Sequence, residues 1–136
     1  MGARVREALP VSVQLNHTIV WCRDKVDSAT FLSEILGLPR PSAFGPFLVV
    51  DLSNGVSLDF HEVDGAIDAQ HYAFLISEDE FELIFGRVTE RGLDYWADPG
   101  LSERGVINRA DGGRGVYFKD PDGHLLEIIT RRYGSG

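Results

Sequence analysis

Three side chains of this 136-residue sequence have the types and setting to do metal chemistry without thiols: His17, His71 and Glu127. Imidazole nitrogen and carboxylate oxygen bind divalent first-row metals, and two histidines with one carboxylate leave coordination positions open for a substrate. That is the donor set of a Lewis-acid enzyme. All three lie in apolar stretches that read as strands, where an unpaired Glu is costly to bury. A cation supplies the missing partner, so His17, His71 and Glu127 are the expected ligands. Taken singly, each could equally be a solvated strand residue or a satisfied core histidine. The donor set fits Fe, Mn, Zn or Ni and does not choose among them. The single Cys22 permits no internal disulfide and no zinc site of paired cysteines.

Two similar halves position these residues. An alternating run over residues 11–20 predicts a strand carrying His17, and residues 24–36 place Ala29, Leu32, Ile35 and Leu36 at helical spacing before Gly37 and Pro39. Apolar runs then flank Asn54-Gly55, a hairpin signal. After a polar linker the order restarts. Residues 71–76 read as a strand, and Ser77 with Glu80 forms a capping box for a helix whose stripe is Phe81, Ile84, Phe85 and Val88. Tyr95 and Trp96 form a short strand, residues 99–113 a Gly-rich loop, and residues 114–119 and 124–131 two strands joined by Asp120-Pro121-Asp122-Gly123. Residues 133–136 read as a frayed tail. The expected fold is α+β, one domain of two βαβββ modules over residues 11–63 and 70–131. Each module opens on a strand with a His and closes on one with a carboxylate four residues after a turn Gly, Asp59 after Gly55 and Glu127 after Gly123.

The Asp-Pro-Asp-Gly turn orients the last hairpin. With Gly123 in the left-handed position, Asp120 pairs with His124, and counting back sets Tyr117 opposite Glu127. Gly115, Lys119, Leu125 and Ile129 then share the face of Glu127, while Phe118 and Ile128 turn toward the helices. Tyr117 becomes a candidate donor to an oxyanion, against ordinary cross-strand packing. By alternation His61 shares a strand face with Asp59.

Composition limits what such a site can serve. With 43% apolar residues the chain can bury a core, and 13 basic against 21 acidic residues give a net charge of −8, which argues against a nucleic-acid partner. No stretch has the roughly 18 apolar residues of a membrane span, and residues 1–14 lack the apolar run of a signal peptide. A soluble cytoplasmic protein is expected.

The stretches Leu15-Asn16-His17-Thr18-Ile19-Val20, His71-Tyr72-Ala73-Phe74 and Val116-Tyr117-Phe118-Lys119-Asp120-Pro121-Asp122-Gly123-His124-Leu125-Leu126-Glu127 resemble the vicinal oxygen chelate superfamily. That superfamily includes glyoxalase I, fosfomycin-resistance enzymes, extradiol dioxygenases and bleomycin-binding proteins. The resemblance implies a concave mixed sheet around a metal held by His17, His71 and Glu127. It also implies a homodimer, with the site at the subunit interface in many members. Glyoxalase I has a fourth ligand at the position of Asp59, whose side chain is one methylene shorter than Glu; a hydrogen-bonded or solvated acid is the competing role.

The shared chemistry is chelation of neighbouring substrate oxygens, with stabilisation of the charge that develops on them. An isomerase or lyase reading makes Asp59 or Glu127 the proton-shuttling base; a dioxygenase reading rests on the two-His-one-carboxylate triad, which suits Fe(II). The expected function is therefore a metal-dependent enzyme of the glyoxalase and dioxygenase class acting on a small oxygenated metabolite. Glu127, Tyr117 and Asp59 are its catalytic candidates, and Arg114, Lys119, His61 and Trp96 the substrate-binding ones. A fosfomycin-type alternative uses Arg109, Arg114 and Lys119 to hold a phosphonate, but Gly115 stands where those enzymes often carry a small hydroxyl residue. A metal-free drug-sequestering protein, stacking a planar ligand on Trp21, Tyr95 and Trp96, is the non-catalytic alternative.

Overall fold

Period-two alternation decides this architecture. In every long strand one set of side chains is apolar and faces a helix, and the other set, which includes the candidate residues His17, Asp59, His61, His71, Tyr117, Lys119 and Glu127, faces away from it, whereas Tyr95 and Arg114 take the helix side and Arg109 lies in a loop. The computed structural model describes residues 11–136. The first module runs β1 (His17–Cys22), α1 (Lys25–Leu36), β2 (Ser42–Phe44), β3 (Phe47–Asp51) and β4 (Ser57–Glu62). The second runs β5 (His71–Leu75), α2 (Glu78–Glu90), β6 (Tyr95–Trp96), β7 (Gly115–Lys119) and β8 (Leu125–Ile129), with a 3-10 turn, Ala110–Gly112, before β7.

Each module makes its own four-stranded mixed sheet, ordered β1-β4-β3-β2 and β5-β8-β7-β6. The first and last strands of each module pair in parallel and the others antiparallel, so the two halves share one topology. Among the described residues both β1 and β5 keep a free edge. The Asn54-Gly55 and Asp-Pro-Asp-Gly signals both turn hairpins, with Gly55 at φ 81° and Gly123 at φ 87°, a conformation that glycine adopts without a Cβ penalty.

The helix-facing residues merge into one core. Val20, Cys22, Val50, Leu58 and Phe60 pack with Ala29, Leu32 and Ile35 of α1, and Val116, Phe118, Leu126 and Ile128 pack with Phe81, Ile84 and Val88 of α2. Asp24 caps α1 and the Ser77–Glu80 capping box starts α2. Across the helix pair, Arg87 donates to the Ile35 carbonyl at the end of α1, at 3.1 Å.

A polar clasp joins the modules. Asp122 accepts the Arg23 N–H at 3.1 Å and the Ser28 hydroxyl at 2.6 Å. His124, 1% exposed, accepts the Gln70 N–H on Nδ1 at 2.9 Å, so its proton is on Nε2, which donates to the Trp21 carbonyl at 2.8 Å. The turn that sets the hairpin register therefore also fixes module two against β1.

Two expectations about the ends change. The strand predicted over residues 11–20 begins only at His17; residues 11–16 have no strand partner among the described residues, and Val11, Val13 and Leu15 are exposed. The cause is the length of β4. His17 pairs with Ser57, the Ser57 N–H reaches the Asn16 carbonyl, and beyond that the Asn54-Gly55 turn leads the chain away. The tail expected to fray instead folds back onto β8, as described below. Among the described residues, no helix is long and apolar enough to cross a membrane.

His124→Leu keeps the volume but orphans the Gln70 N–H and the Trp21 carbonyl. Each buried unpaired group costs about 1–3 kcal/mol, so urea unfolding should show a lower midpoint with an unchanged slope.

Candidate metal centre

Glu127 is the most constrained polar group of the second sheet. It lies in the middle of β8 and is 1% exposed, so its carboxylate has exchanged water for protein donors. His71 Nε2 lies 3.0 Å from Oε1, and the Tyr133 hydroxyl donates to Oε1 at 2.7 Å and to Oε2 at 3.0 Å. Parallel pairing of β5 with β8 sets Ala73 beside Glu127 and His71 beside Leu125, so the imidazole reaches the carboxylate diagonally along the same face.

The other nitrogen of His71 is 3.0 Å from the Leu125 carbonyl. A carbonyl only accepts, so Nδ1 carries a proton and Nε2 is the nitrogen turned toward Glu127. Nε2 and Oε1 are both lone-pair atoms unless something positive stands between them, either a proton or a metal ion. The observed spacing fits the second as well as the first: two ligands about 2.1 Å from one ion at right angles stand about 3 Å apart. His17 is prepared in the same manner. Its Nδ1 is 2.7 Å from the Asn16 side-chain oxygen, which leaves Nε2 free.

His17, however, lies on the other sheet. The concave face of the first sheet forms an open cleft of about 450 Å³ lined by His17, Phe44, Phe47, Val49, Asp51 and Asp59 among others, with neither His71 nor Glu127 in its wall. Among the described residues no group of three His, Cys, Asp or Glu side chains stands close enough to hold one ion. The expected triad is thus split within one chain, two ligands on β5 and β8 and one on β1. Asp59, 8% exposed, accepts the Ser57 hydroxyl at 2.8 Å, on the face shared with His17.

The register expected for the last hairpin is found: Tyr117 pairs with Glu127, Lys119 with Leu125 and Gly115 with Ile129. Tyr117 is 5% exposed and its ring stacks on His71 with centroids 5.8 Å apart. Its hydroxyl lies 3.4 Å from that of Tyr133, so its link to Glu127 runs through Tyr133. Burial, then the Tyr133 contact and the nearby Glu127 charge, push the Tyr117 phenol well above its ordinary range and keep it a proton donor. Trp96 pairs with Tyr117 on the same face, and Lys119 Nζ stands 5.9 Å over its ring.

One substrate-binding expectation changes. Arg114 does not face the cleft: Nε donates to Glu78 at 2.8 Å, Nη1 pairs with Glu82 at 2.5 Å, and the guanidinium lies 4.4 Å over Phe81. It precedes Gly115 by one residue and so takes the helix side. Glu82, then Glu78, hold its proton still more firmly than usual. His61 does lie on the concave face, but two pairs along from His17, wedged edge-on between Trp21 and Phe47 at 5.1 and 5.2 Å, with Nδ1 2.9 Å from the Glu62 carbonyl. Tyr133 is the contact of Glu127 that the sequence did not reveal. It lies six positions beyond Glu127, outside any repeat or motif.

Cys22 is fully buried. Burial first, then the nearby Asp122 and Glu62 charges, push its thiol up from 9.0 to about 12. The fold thus favours the neutral thiol, a contribution present below pH 9 and lost as pH rises from there toward 12. A disulfide reagent at pH 8 should leave Cys22 unlabelled in the native chain and label it rapidly in urea; rapid native labelling contradicts this burial.

Residues 14–128 match the family model described as the Glyoxalase/Bleomycin resistance protein/Dioxygenase superfamily. The chain is 33% identical over 122 residues to "Glutathione transferase FosA" of Serratia marcescens, covering 84% of this chain and 78% of that one. Among solved structures it is 60% identical to "Oxidase ChaP-H1", with a TM-score of 0.89 over 90% of this chain and 99% of that one. It shares its fold, at a TM-score of 0.65 and 20% identity, with the fosfomycin resistance protein FosX of Mesorhizobium loti, over 90% of this chain and 94% of that one.

Proposed function

The chain belongs to the glyoxalase/bleomycin resistance protein/dioxygenase superfamily, and on that premise we propose that it is a metal-dependent enzyme whose ligands, His17, His71 and Glu127, meet when two copies of the chain associate. The observation that carries this reading is the pair at the centre of the second sheet. Glu127 is a buried carboxylate, and His71 turns Nε2 toward it from 3.0 Å, a spacing that calls for a proton or a metal ion between them. Such a pair asks for a cation. The free edges of β1 and β5 carry His17 and His71 respectively, so edge-to-edge association of two copies is the arrangement that completes the donor set.

A divalent ion held there acts as a Lewis acid toward neighbouring oxygens of a small substrate. The remaining work falls to residues of the chain. Tyr117 offers a protonated phenol beside Glu127 for an oxygen that gains charge. Asp59, buried on the His17 face, is the candidate proton acceptor. Trp96 and Lys119 form the outer wall beside Tyr117, an apolar plate with one cation above it.

Within this class we favour oxidative chemistry on an oxygenated metabolite. The support is the 60% identity to two solved chains named oxidases, ChaP-H1 and ChaP-H2, each covering at least 90% of this one. The occupation of Arg114 by Glu78 and Glu82 points the same way, because it removes one of the cations a phosphonate would need. A fosfomycin-type thiol transferase is the second reading, supported by the relatives named glutathione and metallothiol transferases.

Metal analysis after purification should find about one divalent ion per chain, none in His71→Ala or Glu127→Gln, and a wild-type amount in Arg114→Gln. Metal-free wild type, or full occupancy in Glu127→Gln, contradicts the assignment. Oxygen uptake with candidate substrates, set against thiol consumption with fosfomycin, separates the two chemistries.

A further inference from the structure

The tail after β8 is held in a defined turn. The Ser135 N–H and hydroxyl donate to the Arg132 carbonyl at 3.1 and 2.6 Å, Arg131 Nη2 donates to the Ser135 carbonyl at 3.0 Å, and the Gly136 N–H reaches Asp111 at 3.4 Å. The turn brings Tyr133 back over β8. Tyr133 is 66% exposed, so its polar contact rather than close packing ties it there. Its hydroxyl sits astride both oxygens of Glu127, at 2.7 and 3.0 Å, while His71 Nε2 faces one of them. The carboxylate cannot rotate about its last bond without losing one of these contacts. Tyr117 adds its hydroxyl 3.4 Å from that of Tyr133, closing a row of groups that runs Tyr117, Tyr133, Glu127, His71.

We propose that Tyr133 is a positioning residue for Glu127, fixing the plane of the carboxylate so that it presents the oxygen beside His71 to the ion. The inference rests on the reading of His71 and Glu127 as ligands. Groups that hold a ligating carboxylate or imidazole in place are as much a part of a metal site as the ligands, and losing one typically weakens binding about 10- to 100-fold. The segment after β8 thus becomes part of the site.

Cobalt(II) titration of the wild type, of Tyr133→Phe and of a chain ended at Arg132 tests this, read by the visible absorption of the bound ion together with the unfolding midpoint of the metal-free proteins. Both variants should bind cobalt at least roughly tenfold more weakly, with an altered absorption spectrum, at a temperature well below a metal-free midpoint that itself falls as Glu127 loses a donor. Wild-type affinity in both variants overturns the role. Tighter binding overturns it too, because the hydroxyl then obstructs the ion, and so does a loss of affinity with the wild-type absorption spectrum, which marks an unchanged ligand geometry. If the wild type itself takes up no cobalt, the ligand assignment fails and this role with it, a result distinct from wild-type binding that the variants match.

Discussion

A buried carboxylate in the middle of a strand is the constraint around which the second module is arranged. Removing Glu127 from water costs several kcal/mol unless donors or a cation replace the solvent. The fold supplies them from three directions. β5 brings His71 by parallel pairing, the tail brings Tyr133 by a backbone turn, and β7 brings Tyr117 as the neighbour that shuts out water. The Leu125 carbonyl, a main-chain group of β8 itself, fixes which nitrogen of His71 is available. The strand that carries the carboxylate therefore also sets the state of its partner.

Strand alternation separates this chemistry from stability. Helix-facing residues of both sheets fuse into one core under α1 and α2, while the outward set is left free for other work. The first module repeats the plan with a weaker donor set: His17 and Asp59 share a face, but Asp59 is satisfied by Ser57, and no His17–Asp59 contact forms. Each module alone holds part of the proposed donor set. The clasps of His124 on β1 and of Asp122 on Arg23 and Ser28 hold the two parts on separate sheets of one chain, which is why the proposed site calls on a second copy.

Much of this was legible in the sequence because it depends on local rules. The Asp-Pro-Asp-Gly turn set the register of the last hairpin, from which the Tyr117–Glu127 pair follows by counting. The repeat of His on an opening strand and a carboxylate on a closing one marked the candidate ligands. The same parity argument, carried one residue further back, would have turned Arg114 toward the helices, where Glu78 and Glu82 wait on a separate element. Long-range facts were not legible. Alternation over residues 11–16 cannot say whether a neighbouring strand exists to pair with them, and nothing local marks Tyr133, whose partner is set by the path of the tail. Fold similarity extends across the superfamily while chemistry does not, so the branch of reaction rests on the site and on the nearer relatives.

The central claim, that one metal site draws ligands from two copies of the chain, is tested most directly by mixing two dead variants. His17→Ala and Glu127→Gln chains, each binding no metal alone, are unfolded together, refolded and assayed for bound divalent ion. Random pairing makes half the dimers mixed, and each mixed dimer has one intact site of two, so about one quarter of wild-type occupancy should return. No recovery, from a mixture shown to exchange subunits, would contradict a shared site and assign the three ligands to a single chain.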